Sequence, residues 1–427
     1  MNTGLTEAAR RRAGWLAILS SCCGVTGETV LTDGAVIILY AAALNASDTL
    51  TLISTSLLPF FNGLLIIPAA YMATRLGRRR VILSACFAAT CAYLFAALAP
   101  FCGHFGMAVL LGAILCFTLM TPGFIACWNP LLDSFLRPDE RVAYLGKMRF
   151  LHQLSAIFFL FLAGHFLGGA PSVGKLQLVI LVGAMVFGGR GLAISRIPDF
   201  PTMKRDVAWL AGLRTAWHDR QLTVFSLYQF FLNLLIYGGI PVATLAMKNT
   251  MNVPSDRIVY VSNAALVGML SGYWCANRLR GRVPTRKMFL GLHLIAIVVN
   301  IALVMALSGG NSTVPLLALA VSLWVLGAVV AASSVYCSAE MMRLSPDGNK
   351  IMAMAWSCMF FYCGSGCSRL LPSFLLKSEA FRGGWILNGV VISPYQTLLL
   401  FYGLALIPLL MLLFRTSAMR REQFELS

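Results

Sequence analysis

Long apolar runs separated by short polar links fill this sequence of 427 residues. Twelve runs are long enough to cross a bilayer as a helix, which takes about 20 residues. The predicted spans cover residues 15–42, 52–74, 80–100, 106–133, 149–169, 176–195, 222–246, 258–277, 286–308, 314–339, 351–376 and 395–415. The first run begins like a signal peptide. It continues well past the residues that resemble a cleavage site, so we expect it to remain in the mature protein as the first span. The pattern predicts an all-α polytopic membrane protein.

A polar stretch at 196–221 divides the spans into two sets of six. It holds two prolines and several basic residues, which is typical of a link between bundles. The predicted domains are therefore an N-terminal six-helix bundle at 1–195, a cytosolic linker at 196–221 and a C-terminal six-helix bundle at 222–427.

The composition supports a membrane protein, since 59% of residues are hydrophobic, 11% are charged and the mean hydropathy is +0.79. A soluble domain would expose far more charge. A net charge of +17 is also typical of proteins that bind nucleic acid. The basic residues, however, lie in short turns between apolar runs and form no basic domain that could hold a duplex. We therefore expect a lipid bilayer, and no nucleic acid, as the partner that explains this charge.

The Lys and Arg residues also predict the orientation. With the N-terminus inside, 27 of the 33 fall on the inner side, 5 on the outer side, and Arg369 within a span. Basic residues near span ends stay on the cytosolic side of a membrane, so both termini are predicted to be cytosolic. Short loops and tails favour a multi-pass protein of a bacterial inner membrane, which we expect to be a monomer.

A basic turn between the second and third predicted spans has a degenerate copy in the second half. The first reads Thr74-Arg75-Leu76-Gly77-Arg78-Arg79-Arg80 and the second Asn277-Arg278-Leu279-Arg280-Gly281-Arg282, 203 residues later. A membrane chain that repeats its basic turn in this way is predicted to consist of two similar, pseudo-symmetric halves, as secondary transporters do.

The repeated turn and the two sets of six spans resemble the major facilitator superfamily, whose loop motif is roughly Gly-x-x-x-Asp-Arg-x-Gly-Arg-Arg. Positions Arg75, Gly77, Arg78 and Arg79 match this motif, while alanine and threonine replace its first glycine and its aspartate. In the second copy the aspartate is also replaced, and the two outermost arginines remain. The resemblance covers the whole chain, and it implies the twelve-helix fold of that family with no particular substrate.

The resemblance also implies a cytosolic gate. In that arrangement Asp133, at the inner end of the fourth span, pairs with Arg75 or Arg78, and Glu340, at the inner end of the tenth span, pairs with Arg278. A second arginine of the later turn, Arg282, belongs to the same gate. The alternative is that these are ordinary solvated charges at the membrane surface.

Charged side chains inside spans are costly unless they face water or a partner, so each is a functional candidate. Glu28 lies near the middle of the first span and Asp33 lies further out. The resemblance places the first span on the transport pathway, so both acids are predicted to couple protons or bind substrate. Arg369 is predicted to pair with either acid or to bind an anionic substrate. The alternative is that its side chain reaches the outer surface.

Amides and aromatic residues complete the predicted cavity, although such side chains also bond neighbouring helices. They are Asn62, Trp128, Asn129, Gln229, Asn233, Tyr237, Trp324 and Tyr336. His293 lies on the ninth span, which is expected to face lipid.

Enzyme motifs and nucleotide-binding loops are absent from the sequence, so transport must draw on an ion or solute gradient. The twelve cysteines lack the spacing of a metal or redox site and are interpreted as packing residues. The sequence predicts a secondary active transporter, not an enzyme, that moves a small organic solute by alternating access, coupled to protons and without a cofactor. A uniporter of the same fold, or a non-transporting sensor or assembly protein, are the alternatives.

Overall fold

A computed structural model of the chain shows these runs as helices. The described residues are 6–33, 35–44, 48–137, 140–168, 171–198, 209–279, 282–346, 348–376, 384–387 and 390–416. They form two compact units, of which the first comprises Met1–Asp219 with Ser345–Met359. The second comprises Arg220–Leu344 with Phe360–Ser427.

The first unit is built from long helices that alternate with short turns. Its helices are α1 (Glu7–Glu28), α2 (Ala35–Ala43), α3 (Asp48–Leu76), α4 (Arg78–Ala97), α5 (Gly106–Asp133), α6 (Arg141–Leu167), α7 (Val173–Ser195) and α8 (Trp209–His218). A π-helical turn, Thr29–Asp33, follows α1 directly and precedes α2. A 3₁₀ segment, Ala99–Phe105, precedes α5.

The second unit has the same plan. Its helices are α9 (Arg220–Tyr237), α10 (Gly239–Asn249), α11 (Ser255–Leu279), α12 (Thr285–Leu307), α13 (Thr313–Leu344), α14 (Lys350–Leu375) from Phe360 onwards, and α15 (Pro394–Phe414). A hairpin of two short antiparallel strands, β1 (Trp385–Leu387) and β2 (Val390–Ile392), precedes α15.

An aromatic cluster forms the centre of the first unit and holds α7 against α1 and α4. Tyr93, Phe117 and Phe187 are almost fully buried, with ring centroids 5.0–6.1 Å apart. Gly27 of α1 packs so closely on Phe187 that a Cβ there would lie 2.6 Å from the Cβ of the phenylalanine. This close approach brings the C-terminal end of α1 next to the C-terminal half of α7.

The predicted spans and the described helices agree, and the fold class is confirmed. Ten helical stretches of the described residues are long and apolar enough to cross a membrane. Helices α11 and α14 coincide with the two remaining predicted spans. The sequence did not predict the interruptions of the first span, at the π turn, and of the seventh span, where α9 ends before Gly238. It also did not predict the hairpin or α8.

The beginning of α14 packs within the first unit, although the sequence assigned residues 222–427 to one bundle. Asn349 Nδ2 donates a hydrogen bond to the carbonyl oxygen of Gly212 on α8, at 2.8 Å. The rings of Trp217 and Trp356 lie 5.1 Å apart. These contacts attach the N-terminal turns of α14 to the linker helix.

Candidate functional site

An ion pair between two membrane-spanning helices forms the most unusual polar site of the first unit. Glu28, the last residue of α1, accepts a charge-assisted hydrogen bond from Nη1 of Arg190 on α7. The arginine side chain is 3% exposed and the glutamate side chain 25% exposed. The guanidinium is therefore enclosed by protein atoms, whereas part of the glutamate side chain is exposed at the surface of the protein.

Small residues make room for the guanidinium. Gly24 lies one helical turn before Glu28, and a Cβ at this position would overlap Nε, Cζ and Nη2 of Arg190. On α7, Gly189 faces Cys23 and Gly191 faces Cys86, so a Cβ at either would come within 3.0–3.3 Å of these cysteines. Close backbone contact through small residues is the usual way in which membrane helices pack.

Aromatic rings flank the buried arginine. Its Cζ lies 4.1 Å from the ring centroid of Phe124 and 5.0 Å from that of Phe187. The ring of Trp128 stacks on that of Phe124, with the two centroids 5.0 Å apart. A guanidinium near aromatic rings gains cation–π attraction, which partly replaces its lost hydration.

The ion pair is electrically neutral only while both partners are charged. Nε of Arg190 is buried and has no hydrogen-bond partner among the described residues. The carboxylate of Glu28 is thus the one described anion that balances this guanidinium. Removing the negative charge would leave a positive charge in a region of low dielectric constant, which is strongly unfavourable.

The basic turn between α3 and α4 binds carbonyl groups at the ends of neighbouring helices. Arg78 Nη1 donates to the carbonyl oxygen of Pro130 at 2.8 Å, and Arg79 Nη2 donates to that of Ser195 at 2.8 Å. Gly77 joins α3 to α4 with a φ of 92°, a conformation that suits glycine. These hydrogen bonds therefore join the turn to the C-terminal ends of α5 and α7.

The described ion pairs differ from the predicted gate pairs. Asp133 pairs with Lys350, at 3.0 Å between Oδ2 and Nζ, and Arg75 lies instead over the ring of Tyr71, at 5.5 Å. Arg75 therefore does not pair with Asp133, and the alternative pairing of Asp133 with Arg78 stays a prediction.

The described ion pairs do not join Glu340 to Arg278, the second predicted gate pair. Glu340 binds Arg343 of the same helix in a bidentate pair, with Nε 2.8 Å from Oε2. The side chains of Arg278 and Arg282 are exposed, and no described ion pair includes them. An arginine one turn away on the same helix reaches Glu340 at lower cost in side-chain entropy.

The sequence and the fold agree on the family. The sequence model of the Major Facilitator Superfamily matches residues 15–341. The chain belongs to the major facilitator superfamily. Its members are membrane transporters and not enzymes, and the chain is a multi-pass membrane protein of this class. A comparison with curated proteins found no match.

Solved structures of the superfamily share the fold of this chain at low sequence identity. The E. coli fucose:proton symporter FucP is 14% identical, with a TM-score of 0.68 over 95% of this chain and 98% of that chain. The human organic anion transporter MFSD10 is 15% identical, with a TM-score of 0.67 over 95% of this chain and 99% of that chain. The nucleoside transporter NupG is 15% identical, with a TM-score of 0.61 over 94% of this chain and 98% of that chain.

Within this major facilitator fold, the predicted cavity residues of the first unit have separate surroundings. Asn62 of α3 is buried and accepts a hydrogen bond from Thr121 of α5 at 2.8 Å. Trp128 belongs to the stack beside Arg190, and its neighbour Asn129 is half-buried. The backbone of Asp33 ends the π turn, and its side chain lies outside the described part of the structure.

In the second unit three of the predicted residues lie on α9, which ends at the interruption of the seventh span. Gln229 and Asn233 are buried on one face of α9, and Asn233 Nδ2 donates to the carbonyl oxygen of Gln229 at 2.6 Å. Tyr237, the last residue of α9, packs edge-to-face on Phe361 at 6.2 Å. Arg369 lies on α14, and its side chain is outside the described part of the structure.

The remaining predicted aromatic residues connect α13 to α11. Trp324 Nε1 donates to the hydroxyl of Ser271 at 3.2 Å, and the Tyr336 hydroxyl donates to the carbonyl oxygen of Ala276 at 3.5 Å. Contacts of this kind join neighbouring helices, which was the structural alternative for these side chains.

Two functional candidates were missed by reasoning from the sequence. The 27 basic residues predicted for the inner side include Arg190, which is five residues from the end of α7. The glycines on either side of it, at 188, 189 and 191, were the available signal. His293 was expected to face lipid, but it is 1% exposed, stacks on Tyr228 at 5.8 Å, and donates from Nδ1 to the carbonyl oxygen of Phe289.

Proposed function

We propose that this chain is a proton-coupled secondary transporter that moves a small organic solute by alternating access. Glu28 carries the proton, and Arg190 is its counter-charge. The observation that carries the proposal is their ion pair inside the first unit, at the point where the first span changes from α- to π-helix. π turns within α-helices occur frequently at functional sites.

The interrupted spans support the same interpretation. The first and seventh spans occupy corresponding positions in the two halves, and each is broken near polar residues. In secondary transporters, broken helices in corresponding positions point to the binding site. Glu28 and Asp33 lie at the first break, and Tyr237 lies at the second.

The neighbours of the same fold include a proton symporter, FucP, as well as a nucleoside transporter and an organic anion transporter. The fold is therefore compatible with proton coupling and with several substrate classes. We further propose a monomer in the cell membrane, of the bacterial inner-membrane type, with both termini in the cytosol. Asp33 and Arg369 are proposed contributors to the pathway, and the basic turns to its cytosolic gate.

Flux measurements in proteoliposomes test the proposal. A broad panel of small organic solutes is offered with and without an imposed proton gradient, to the wild type, Glu28→Gln and Glu7→Gln. Glu7 is a matched control because it also lies on α1 and pairs with Arg11 and Arg137, but its side chain is 58% exposed. We expect the gradient to drive flux in the wild type and in Glu7→Gln, and to have no effect in Glu28→Gln.

The other outcomes favour the alternatives. Flux that is indifferent to the gradient and to the substitution would indicate a uniporter in which Glu28 is structural. The absence of flux for all solutes in the panel would favour a sensor or assembly protein.

A further inference from the structure

The buried guanidinium of Arg190 constrains the charge of the solute. Its side chain is 3% exposed, Phe124 and Phe187 flank it, and Glu28 supplies its negative partner. Nε faces Gly24 and is buried without a hydrogen-bond partner among the described residues. An arginine has five N–H donors and cannot lose its charge in a protein. The positive charge of Arg190 is therefore permanent, and only the identity of the anion that pairs with it can change.

A proton on Glu28 removes that counter-ion. The protonated carboxyl no longer neutralises Arg190, and an unpaired charge in a protein interior is strongly unfavourable. Proton uptake becomes favourable when another anion takes the place of the carboxylate. Glu28 is the accessible partner, since 25% of its side chain is exposed, so a ligand reaches the pair from the side of the glutamate.

We propose that Arg190 binds the carboxylate or phosphate group of an anionic solute in exchange for Glu28, so that proton and anion bind together. This inference rests on the proposed role of Glu28 as proton carrier and adds the class of substrate. The exchange conserves charge: the carboxylate of Glu28 gains one proton, its bond to Nη1 is replaced by a bond to the solute anion, and the site stays neutral.

The fork of the guanidinium suits this class of ligand. Arginine binds carboxylate and phosphate groups through two parallel N–H donors, which gives both strength and orientation. The ring of Trp128, which is half-buried and stacks on Phe124 at 5.0 Å, offers an apolar surface near it for the organic part of the solute. A cationic solute finds only Glu28, and binding there would leave Arg190 unpaired.

Binding of a simple anion to the purified protein tests the exchange without a known substrate. The probe is methanesulfonate, which stays ionised in all the buffers used, and its neutral analogue methanesulfonamide is the control ligand. The midpoint of thermal unfolding is measured with each ligand in mildly acidic and mildly alkaline buffer. The variants are Glu28→Gln, Arg190→Gln, the double variant, and Glu7→Gln as the matched control.

We expect methanesulfonate to raise the midpoint of the wild type and of Glu7→Gln in acidic buffer and much less in alkaline buffer. In Glu28→Gln, which resembles the protonated state, the rise should be present in both buffers. It should be lost in Arg190→Gln and in the double variant, and methanesulfonamide should have no effect in any of them.

Three results would overturn the inference. They are an equal response to the neutral analogue, a response that survives without Arg190, and no response of Glu28→Gln to the anion. Because the assay uses no proton gradient, it can fail while Glu28 proves to carry protons. Conversely, the anion can bind at Arg190 while the flux does not depend on the proton gradient. That result would refute the proposed proton coupling and leave the anion site in place.

Discussion

At the scale of single residues, the site depends on a missing side chain as much as on the two charges. The guanidinium of Arg190 lies against the backbone of Gly24, in the volume that any other residue would fill with its Cβ. Glu28 is one helical turn further along the same face of α1. Position 24 thus decides whether the arginine can reach the glutamate.

The variant Gly24→Ala tests this dependence. Its Cβ would overlap Nε and Cζ of Arg190, so the guanidinium must leave its place and the ion pair must break. Separating a buried pair costs about 3 kcal/mol or more. We expect a clearly lower midpoint of thermal unfolding in detergent and loss of gradient-driven flux.

The control for this variant is Gly112→Ala on α5, where no atom lies within 4 Å of the added Cβ. Alanine is the better helix former there, so we expect wild-type stability or a small gain. A wild-type midpoint and wild-type flux in Gly24→Ala would show that Arg190 does not need its present position.

The sequence predicted one partner of this site and missed the other. Glu28 stands out because it is an acid in the middle of an apolar run. Arg190 is followed by Arg196 and the basic linker, so linear distance from the end of the span made it resemble an interfacial charge. The side chain of a residue so close to a helix end can point into the protein or towards the membrane surface. Packing against α1 and α5 decides between the two, and a hydropathy profile contains no information about that packing.

At the scale of elements, α11 and α13 form the closest helix pair of the second unit. A Cβ on Gly268 would overlap the carbonyl oxygen of Trp324, and one on Gly327 would overlap that of Ala265. Such contacts bring the backbones together and gain van der Waals packing where lipid offers no hydrophobic driving force.

The variants Gly268→Ala and Gly327→Ala are expected to separate the two helices. Their Cβ atoms meet backbone, which cannot rotate away as a side chain can, so the cost should reach at least about 2 kcal/mol. We expect less monodisperse protein after extraction and a lower unfolding midpoint. Gly291→Ala on α12 is the control, because its Cβ would meet no atom within 4 Å. Unchanged behaviour of both variants would contradict this packing.

The elements were the most predictable part of the molecule, since each apolar run coincides with a described helix. The breaks inside spans were not predicted, because hydropathy averaged over a whole span passes over the polar residues of Thr29–Asp33 and over Gly238. Helix α8 was assigned to a linker for its polar composition. Its buried face, at Gly212 and Ala216, is too short for a periodic signal.

At the scale of the whole molecule, the orientation in the membrane is a prediction from the distribution of basic residues, and it has a direct test. Cys102 is exposed in the 3₁₀ segment Ala99–Phe105, between the third and fourth spans, which the predicted topology places outside. Most other described cysteines lie within the spans, where water-dependent maleimide chemistry is slow.

We therefore expect a membrane-impermeant maleimide to label wild-type protein in intact cells. The substitution Cys102→Ser should abolish this labelling. Labelling that appears only after the membrane is opened would reverse the orientation, and with it the cytosolic location of the basic turns.

The π turn at Thr29–Asp33 has a consequence for how this span tolerates changes in length. Its hydrogen bonds skip one residue more than those of an α-helix, so the turn holds the equivalent of a one-residue insertion. Deleting one residue there would return the turn to α-helical spacing and leave the residues beyond it on nearly the same face. The same deletion within the α-helical part of α1 would instead rotate everything beyond it by about 100°. Val36, Ile37 and Tyr40, all buried in α2, would leave the core in that second case. The π turn is therefore the place at which this span can change its length by one residue without losing its packing.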